Sequence, residues 1–360
     1  MTYYDSLNDE VKSYFNILSP SIPDWLFKYI NTKEMQRIGK ISMSCGTDYS
    51  KCFNVRYFYS NLDHSVGVAL IIWNFTHDKV QTLAGLFHDI ATPVFKHCID
   101  FMNGDSLTQE STEDRTIDII KNSKEIMTLL KKDNIKLESI CDYKIYPIAD
   151  NDMPKLSADR FEYTFSSGLT FFRVWELDKI KKIYDNIIVT KNKDNILELA
   201  FKDIEIAEEY ISIISKLWPE WVSDKDRTVM QFLADICKSM MNKGFLTTND
   251  LYTLSEKEII NKFLNCEDSY LKESFIKFRE TDKVYNSKTY IDNKYCINTI
   301  TKTRYINPLV LYNNKPVRIS EISIKANNLI NEYLKLPKGG YYTYFDFDFT
   351  PYEKEKVLIK

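Results

Sequence analysis

Two apolar stripes at helical spacing decide what this chain can fold into. Val66, Ala69, Leu70 and Trp73 recur at the three- and four-residue steps of one helix face, and Val80, Leu83, Ala84 and Phe87 do so on the next segment. Faces of that width have to be buried against other elements. Pro93 ends the second helix or its following turn. The helical pattern runs from about Tyr57 to Trp175. Within it, Ile117, Ile120 and Lys124 lie on a helix that follows the acidic stretch Glu110 to Asp114, where negative charge suits the helix dipole. Ser157 is placed to cap a helix through Phe161, Phe165 and Leu169. Residues 1–40 read as short helices broken by Pro20 and Pro23, and residues 200–280 as further helices broken at Trp218-Pro219. The pattern changes at Tyr285. The run TYIDNKYCINTITKTRYI alternates as a strand does, a helix follows near Ser320 to Leu336, and Gly339-Gly340 leads into an aromatic strand, YYTYFDFDF. The expected fold is mainly α: a helical domain over 1–284 and a small α+β appendage over 285–360.

Nine glycines in 360 residues fit many helices and few glycine-built turns, and they leave no GxGxxG or GxxxxGK[ST] loop. A bound nucleotide would therefore be held by side chains and metal. The formal net charge of −3 supplies no global positive field, so nucleic acid is not the expected partner, although 48 Lys and Arg leave room for a local basic patch. The seven cysteines (Cys45, Cys52, Cys98, Cys141, Cys237, Cys266 and Cys296) are scattered without a CxxC pair, as free thiols in a reducing cytoplasm would be. MTYYDSLNDEVKSYF lacks the basic start and apolar run of a signal peptide, and no apolar stretch is long enough to span a bilayer. A soluble cytoplasmic protein without membrane partners is expected.

The chemistry is concentrated in one segment, because all four histidines, His64, His77, His88 and His97, fall within it. Imidazole is the commonest transition-metal ligand among side chains. His88 is followed by Asp89 at the end of a strongly apolar helix, where a polar pair needs partners and a metal supplies one. His77, between Thr76 and Asp78 at a helix boundary, reads as a surface or capping residue.

In order and setting these residues resemble the HD superfamily of metal-dependent phosphohydrolases: His64 in NLDHSVGVA, His88-Asp89 in LAGLFHDIATPVFKH, and Asp159 in LSADRFEY. The resemblance spans roughly residues 30–175. It implies an HD-domain helical bundle with core motifs in 57–175, a single divalent ion on His64, His88, Asp89 and Asp159, and homo-oligomers. A mixed nitrogen and oxygen site of that kind accepts manganese, iron, nickel, zinc or magnesium. Within the superfamily the chain looks like the deoxynucleoside triphosphate triphosphohydrolases. Their stretch runs histidine-aspartate, then glycine-histidine-glycine-proline-phenylalanine, then serine-histidine with an aspartate three residues on. Here His88, Asp89, Pro93, Phe95, His97 and Asp100 answer to it, with altered spacing around the proline. Thr108-Gln109-Glu110 looks like their threonine-histidine-glutamate. Arg160 and Tyr163 stand where those enzymes touch substrate phosphate or sugar. The chain departs from them at Asn61, where they carry a phosphate-gripping arginine, and at Thr92 and Gln109, where they carry catalytic histidines.

What the resemblance implies is a metal that activates water and draws charge from phosphoryl oxygens. Asp100 or His97 would orient or deprotonate the water, while Arg160 neutralises phosphate and Tyr163 donates a hydrogen bond. Thr92 and Gln109 cannot shuttle protons near neutral pH. The expected function is thus hydrolysis of a nucleotide or related phosphate compound. The alternative is a nucleotide-binding sensor with little turnover. An HD-fold oxygenase with paired irons needs further histidines, and only His97 and His77 remain to supply them. Glu110 and Glu113 are explained by their helix-start position. Lys302-Thr303-Arg304-Tyr305 reads first as a solvated strand face and second as a group that reaches a phosphate, within the chain or across a subunit boundary. The aromatics from Tyr341 to Phe349 read first as packing and second as a base-stacking platform.

Overall fold

The computed structural model describes residues 3–112 and 115–352; Glu113 and Asp114 of the acidic stretch lie outside the described residues. The architecture is mainly helical, and six helices position the site: α1 (Asp9–Leu18), α2 (Asn61–Thr76), α3 (Lys79–Phe87), α4 (His97–Met102), α5 (Ala158–Thr170) and α6 (Asp224–Asn242).

Helix α2 is the hub. Every residue from Asn61 to Ile72 is buried, so it is enclosed on all sides rather than along one stripe. A capping box of Ser60 and Asp63 starts it. His77, in the left-handed region at φ 50°, ends it, and the Asp78 side chain then accepts from the Val80 and Gln81 N–H groups to start α3. Helices α1, α3 and α5 pack on α2. Close approach of α5 depends on Gly67, because a Cβ there would stand 2.7 Å from Glu162 Cγ. Ser157 caps α5 by accepting from the Arg160 N–H. Leu70, Phe87 and Phe161 belong to the core around α2, and Phe95, Phe232 and Phe275 to a second core around α6.

Among the described residues seven short strands run in chain order as β1 (Ile187–Lys191), β2 (Leu197–Phe201), β3 (Tyr285–Ser287), β4 (Cys296–Ile297), β5 (Leu309–Tyr312), β6 (Lys315–Arg318) and β7 (Tyr342–Tyr344). They form a four-stranded sheet in the order β1-β2-β5-β6 and a three-stranded one in the order β3-β7-β4. The β1–β2 hairpin lies where the apolar pattern assigns no element. The long alternating run 289–306 yields only the two residues of β4; residues 298–308 have no ladder partner, since β7 already pairs on both sides with β3 and β4.

The last quarter of the chain is woven into the rest. Strand β5 pairs in parallel with β2, Ala200 opposite Leu309 and Phe201 opposite Val310. The helix Ile324–Lys335 packs on the helix Ile204–Ile214, and β7 on α6. Among the described residues no helix is long and apolar enough to cross a membrane.

Candidate metal centre

His64 projects from the first turn of α2, His88 and Asp89 follow the end of α3, and Asp159 opens α5. One ligand atom from each of His64, His88 and Asp89 lies within 4.8 Å of the others. Asp159 Oδ1 is 3.2 Å from His64 Nε2 and 3.9 Å from His88 Nε2. The four residues converge on one wall of a cavity of about 810 Å³.

The outer nitrogens of both rings are committed. His88 Nδ1 is 2.7 Å from the Gly85 carbonyl oxygen, which can only accept, so Nδ1 carries a hydrogen and Nε2 is the nitrogen left for a ligand. His64 Nδ1 bonds to the Glu162 carboxylate, which orients that ring in the same way. Glu162 is fully buried and also accepts from Tyr59 OH at 2.7 Å and Ser166 Oγ at 3.1 Å. The two Nε2 atoms face each other across 3.2 Å. Two imidazole lone pairs and an aspartate oxygen at such range repel unless a proton or a cation lies among them. The donor set therefore fits a divalent ion of the transition series.

Without an ion, a proton takes that place. Burial opposes charge on His64, but Glu162 and Asp159 outweigh it and push the ring up to about 9. Burial likewise works against the Asp89 carboxylate, yet Lys96, His88 and His64 hold it below the usual carboxylate range. Asp159 is held low against burial by its contact with His64 and by the nearby His88.

The other expected site residues are distributed unevenly. His97 lines the cavity; its Nδ1 is 3.0 Å from Asp100 Oδ2, and burial lowers its pKa. Asp100 is buried behind it, accepts from Ser111 Oγ at 2.7 Å and is not on the cavity wall. Gln109 and Tyr163 line the cavity, and the Tyr163 ring packs against Trp221 with centroids 5.4 Å apart. Arg160 also lines it, but its guanidinium is taken: it pairs with Asp150 Oδ1 at 3.0 Å and donates to Asn151 and to the Lys155 carbonyl. That geometry makes Arg160 a brace for the loop before α5. Thr92 and Asn61 stand off the cavity wall. The Thr92 carbonyl accepts from Arg37, and Asn61 accepts from Lys96 and donates to the Asp89 carbonyl at 3.4 Å. His77 is a helix cap with its ring on Trp73.

No family model matches the chain. Over 292 residues it is 23% identical to the uncharacterized protein YdhJ of Bacillus subtilis, an alignment that covers 80% of this chain and 86% of that one. It superposes on a hypothetical protein from Aquifex aeolicus over 90% of its length and 93% of that chain, with a TM-score of 0.63 and 16% identity. It does so on a phosphohydrolase from Bacteroides thetaiotaomicron over 90% and 96%, again with a TM-score of 0.63, at 14% identity. The fold is shared with both structures.

Three residues at the centre carry no motif signal. Glu162 follows Asp159 by three positions, so it lies on the same helix face; that spacing is the one clue to it. Lys96 stands alone in an apolar stretch, and the backbone turns through two consecutive non-glycine residues of positive φ, Phe95 at 66° and Lys96 at 45°, to bring its ammonium 3.2 Å from Asp89 Oδ2. Arg304 comes from the unpaired run 298–308, donates to Gln109 and reaches within 3.5 Å of His97 Nε2.

Proposed function

We propose that this chain is a metal-dependent phosphohydrolase acting on a phosphorylated small molecule of nucleotide size. The observation that carries the reading is the convergence of two inward-facing imidazole nitrogens and two carboxylates in a cavity that also presents Lys96 and Arg304. A divalent ion held by His64, His88, Asp89 and Asp159 would supply an acidified water and a counter-charge for phosphoryl oxygens.

The chain's own residues account for the rest. Glu162 and the Gly85 carbonyl fix both imidazoles with Nε2 inward. Arg304 and Lys96 are cations on the cavity wall that can meet phosphate charge, a task for which Arg160 is not available. His97, whose pKa burial and the Arg304 charge lower against the opposite pull of Asp100 on Nδ1, presents Nε2 to the cavity as a proton acceptor, 3.5 Å from Arg304 Nη2. The volume of about 810 Å³ falls in the range of small-molecule sites.

The test is release of phosphate or pyrophosphate from a panel of nucleoside tri-, di- and monophosphates and cyclic nucleotides with manganese present. Turnover in the wild type that disappears in His88→Ala supports the reading, and none on any compound with metal bound overturns it. One observation favours a second reading, a nucleotide-binding regulator with little turnover: Lys96 already occupies Asp89 Oδ2. The same panel, read for binding without turnover, separates the two.

A further inference from the structure

Helix α6 brings one acidic side chain to the cavity, and nothing above uses it. Asp226 lies in the first turn, and Met230, one turn on and on the same face, lines the cavity beside it. An acidic residue there suits the helix dipole. A capping box would explain it further, but that box is not formed. Ser223 caps the helix by accepting from the Asp226 N–H at 3.2 Å, while the Ser223 N–H goes to the Glu220 carbonyl and not to the Asp226 carboxylate. Among the described residues that carboxylate accepts no hydrogen bond. Arg304, the cation whose field it feels, donates through Nη2 to Gln109 and His97 and not to Asp226. Burial pushes the Asp226 carboxyl up to about 7, with Arg304 opposing and Glu220 adding. A half-buried carboxylate left without donors is costly, and a ligand that brings donors removes the cost.

The rest of the cavity describes that ligand. Tyr163, Trp221, Phe171 and Phe172 line it and supply aromatic surface against which a flat ring can pack. Lys96 and Arg304 can meet its anionic end, beside the imidazole and carboxylate cluster that would hold a divalent ion. A carboxylate has two oxygens side by side and so matches two neighbouring donors. We propose that Asp226 is a specificity-determining residue, which accepts a pair of hydrogen bonds from adjacent donors on the nucleoside part of the substrate. The inference rests on the hydrolase reading for its phosphate end only. The paired donors have two sources in a nucleotide, the N1–H and 2-amino edge of guanine and the ribose diol.

The experiment compares guanosine, inosine and 2′,3′-dideoxyguanosine triphosphates, by KM from phosphate or pyrophosphate release and by Kd from equilibrium dialysis, in the wild type, Asp226→Asn and Asp226→Ala. The wild type should prefer guanosine triphosphate over at least one analogue by about tenfold or more, and both variants should shrink that ratio to about twofold. Loss of the ratio against inosine assigns the base edge, and loss against the dideoxy compound assigns the sugar; either supports the proposal. A ratio near one in the wild type, or one unchanged in a folded variant, overturns it. If nothing is hydrolysed yet the Kd ratio is present and lost in the variants, the hydrolase reading falls and Asp226 stands. If hydrolysis proceeds without preference, Asp226 falls alone.

Discussion

The Nε2 atoms of His64 and His88 stand 3.2 Å apart and face each other, because Glu162 and the Gly85 carbonyl hold the far side of each ring. Such a pair is arranged before any ligand arrives. About one transition-metal ion per chain should therefore copurify or titrate in, and its affinity should fall at least about tenfold in His88→Ala and in Asp159→Ala. Metal analysis after dialysis reads this, and full retention in both variants contradicts it.

Glu162 should act on the metal through His64. In Glu162→Gln the ring loses its anionic partner while the volume is kept, so metal affinity should drop by about 10- to 100-fold with the fold intact by circular dichroism. Glu162→Ala should instead lower Tm sharply, because it strands the hydroxyls of Tyr59 and Ser166 in the interior. An Asn or Gln at position 162 that binds metal as tightly as the wild type would remove Glu162 from the centre.

The two arginines of the cavity should part company. Arg304→Ala should raise KM for phosphorylated substrates by about tenfold or more while leaving Tm within a few degrees. Arg160→Ala should do the reverse: it leaves Asp150 without its partner in a half-dry setting, which costs about 3 kcal/mol of stability. Steady-state kinetics alongside thermal melts distinguish them. Equal KM effects with no loss of stability in Arg160→Ala would restore Arg160 to the phosphate.

Stability should fall as pH rises from about 4.5 to about 8, and Glu256 should be one cause. Burial, with the Asp48 charge adding, pushes this carboxyl from an ordinary 4.5 up to about 8. Between those values the folded state keeps a proton that the unfolded chain releases, so the stabilisation is full below the unfolded value and is lost as pH passes through the folded one. Glu256→Gln keeps an acceptor for the Ser42 N–H and has no proton to lose. Its Tm should gain on the wild type between pH 5 and 8.5. Parallel Tm profiles would show that Glu256 ionises without penalty.

The helices around the site were legible because their apolar residues repeat at helical steps, and Ser157 is a cap in sequence and in structure. The order of His64, His88-Asp89 and Asp159 was legible too, and the fold brings those four together. What surrounds them was not. Glu162 acquires its meaning only when Gly67 lets α5 approach α2. Lys96 reaches Asp89 through a positive-φ turn that no apolar pattern announces. Arg304 lies more than a hundred residues beyond the other cavity residues it touches, in a run whose alternation promised a strand and whose neighbours had no free edge to give it. Arg160 and Thr92 sit at motif positions, yet the first is consumed by its own loop and the second turns from the cavity.

The parallel pairing of Phe201 with Val310 also fixes an order in time. A chain is made from its N-terminus at about 5–20 residues per second, so on the order of ten seconds separate the two strands as they leave the ribosome. Throughout that interval β2 has β1 on one side and an open edge on the other, a surface that invites pairing with other nascent chains. Arg304 is still missing as well. His64, His88, Asp89 and Asp159 are thus synthesised long before Arg304 can join them at the cavity, and the open edge of β2 needs protection until residues 309–310 have been made.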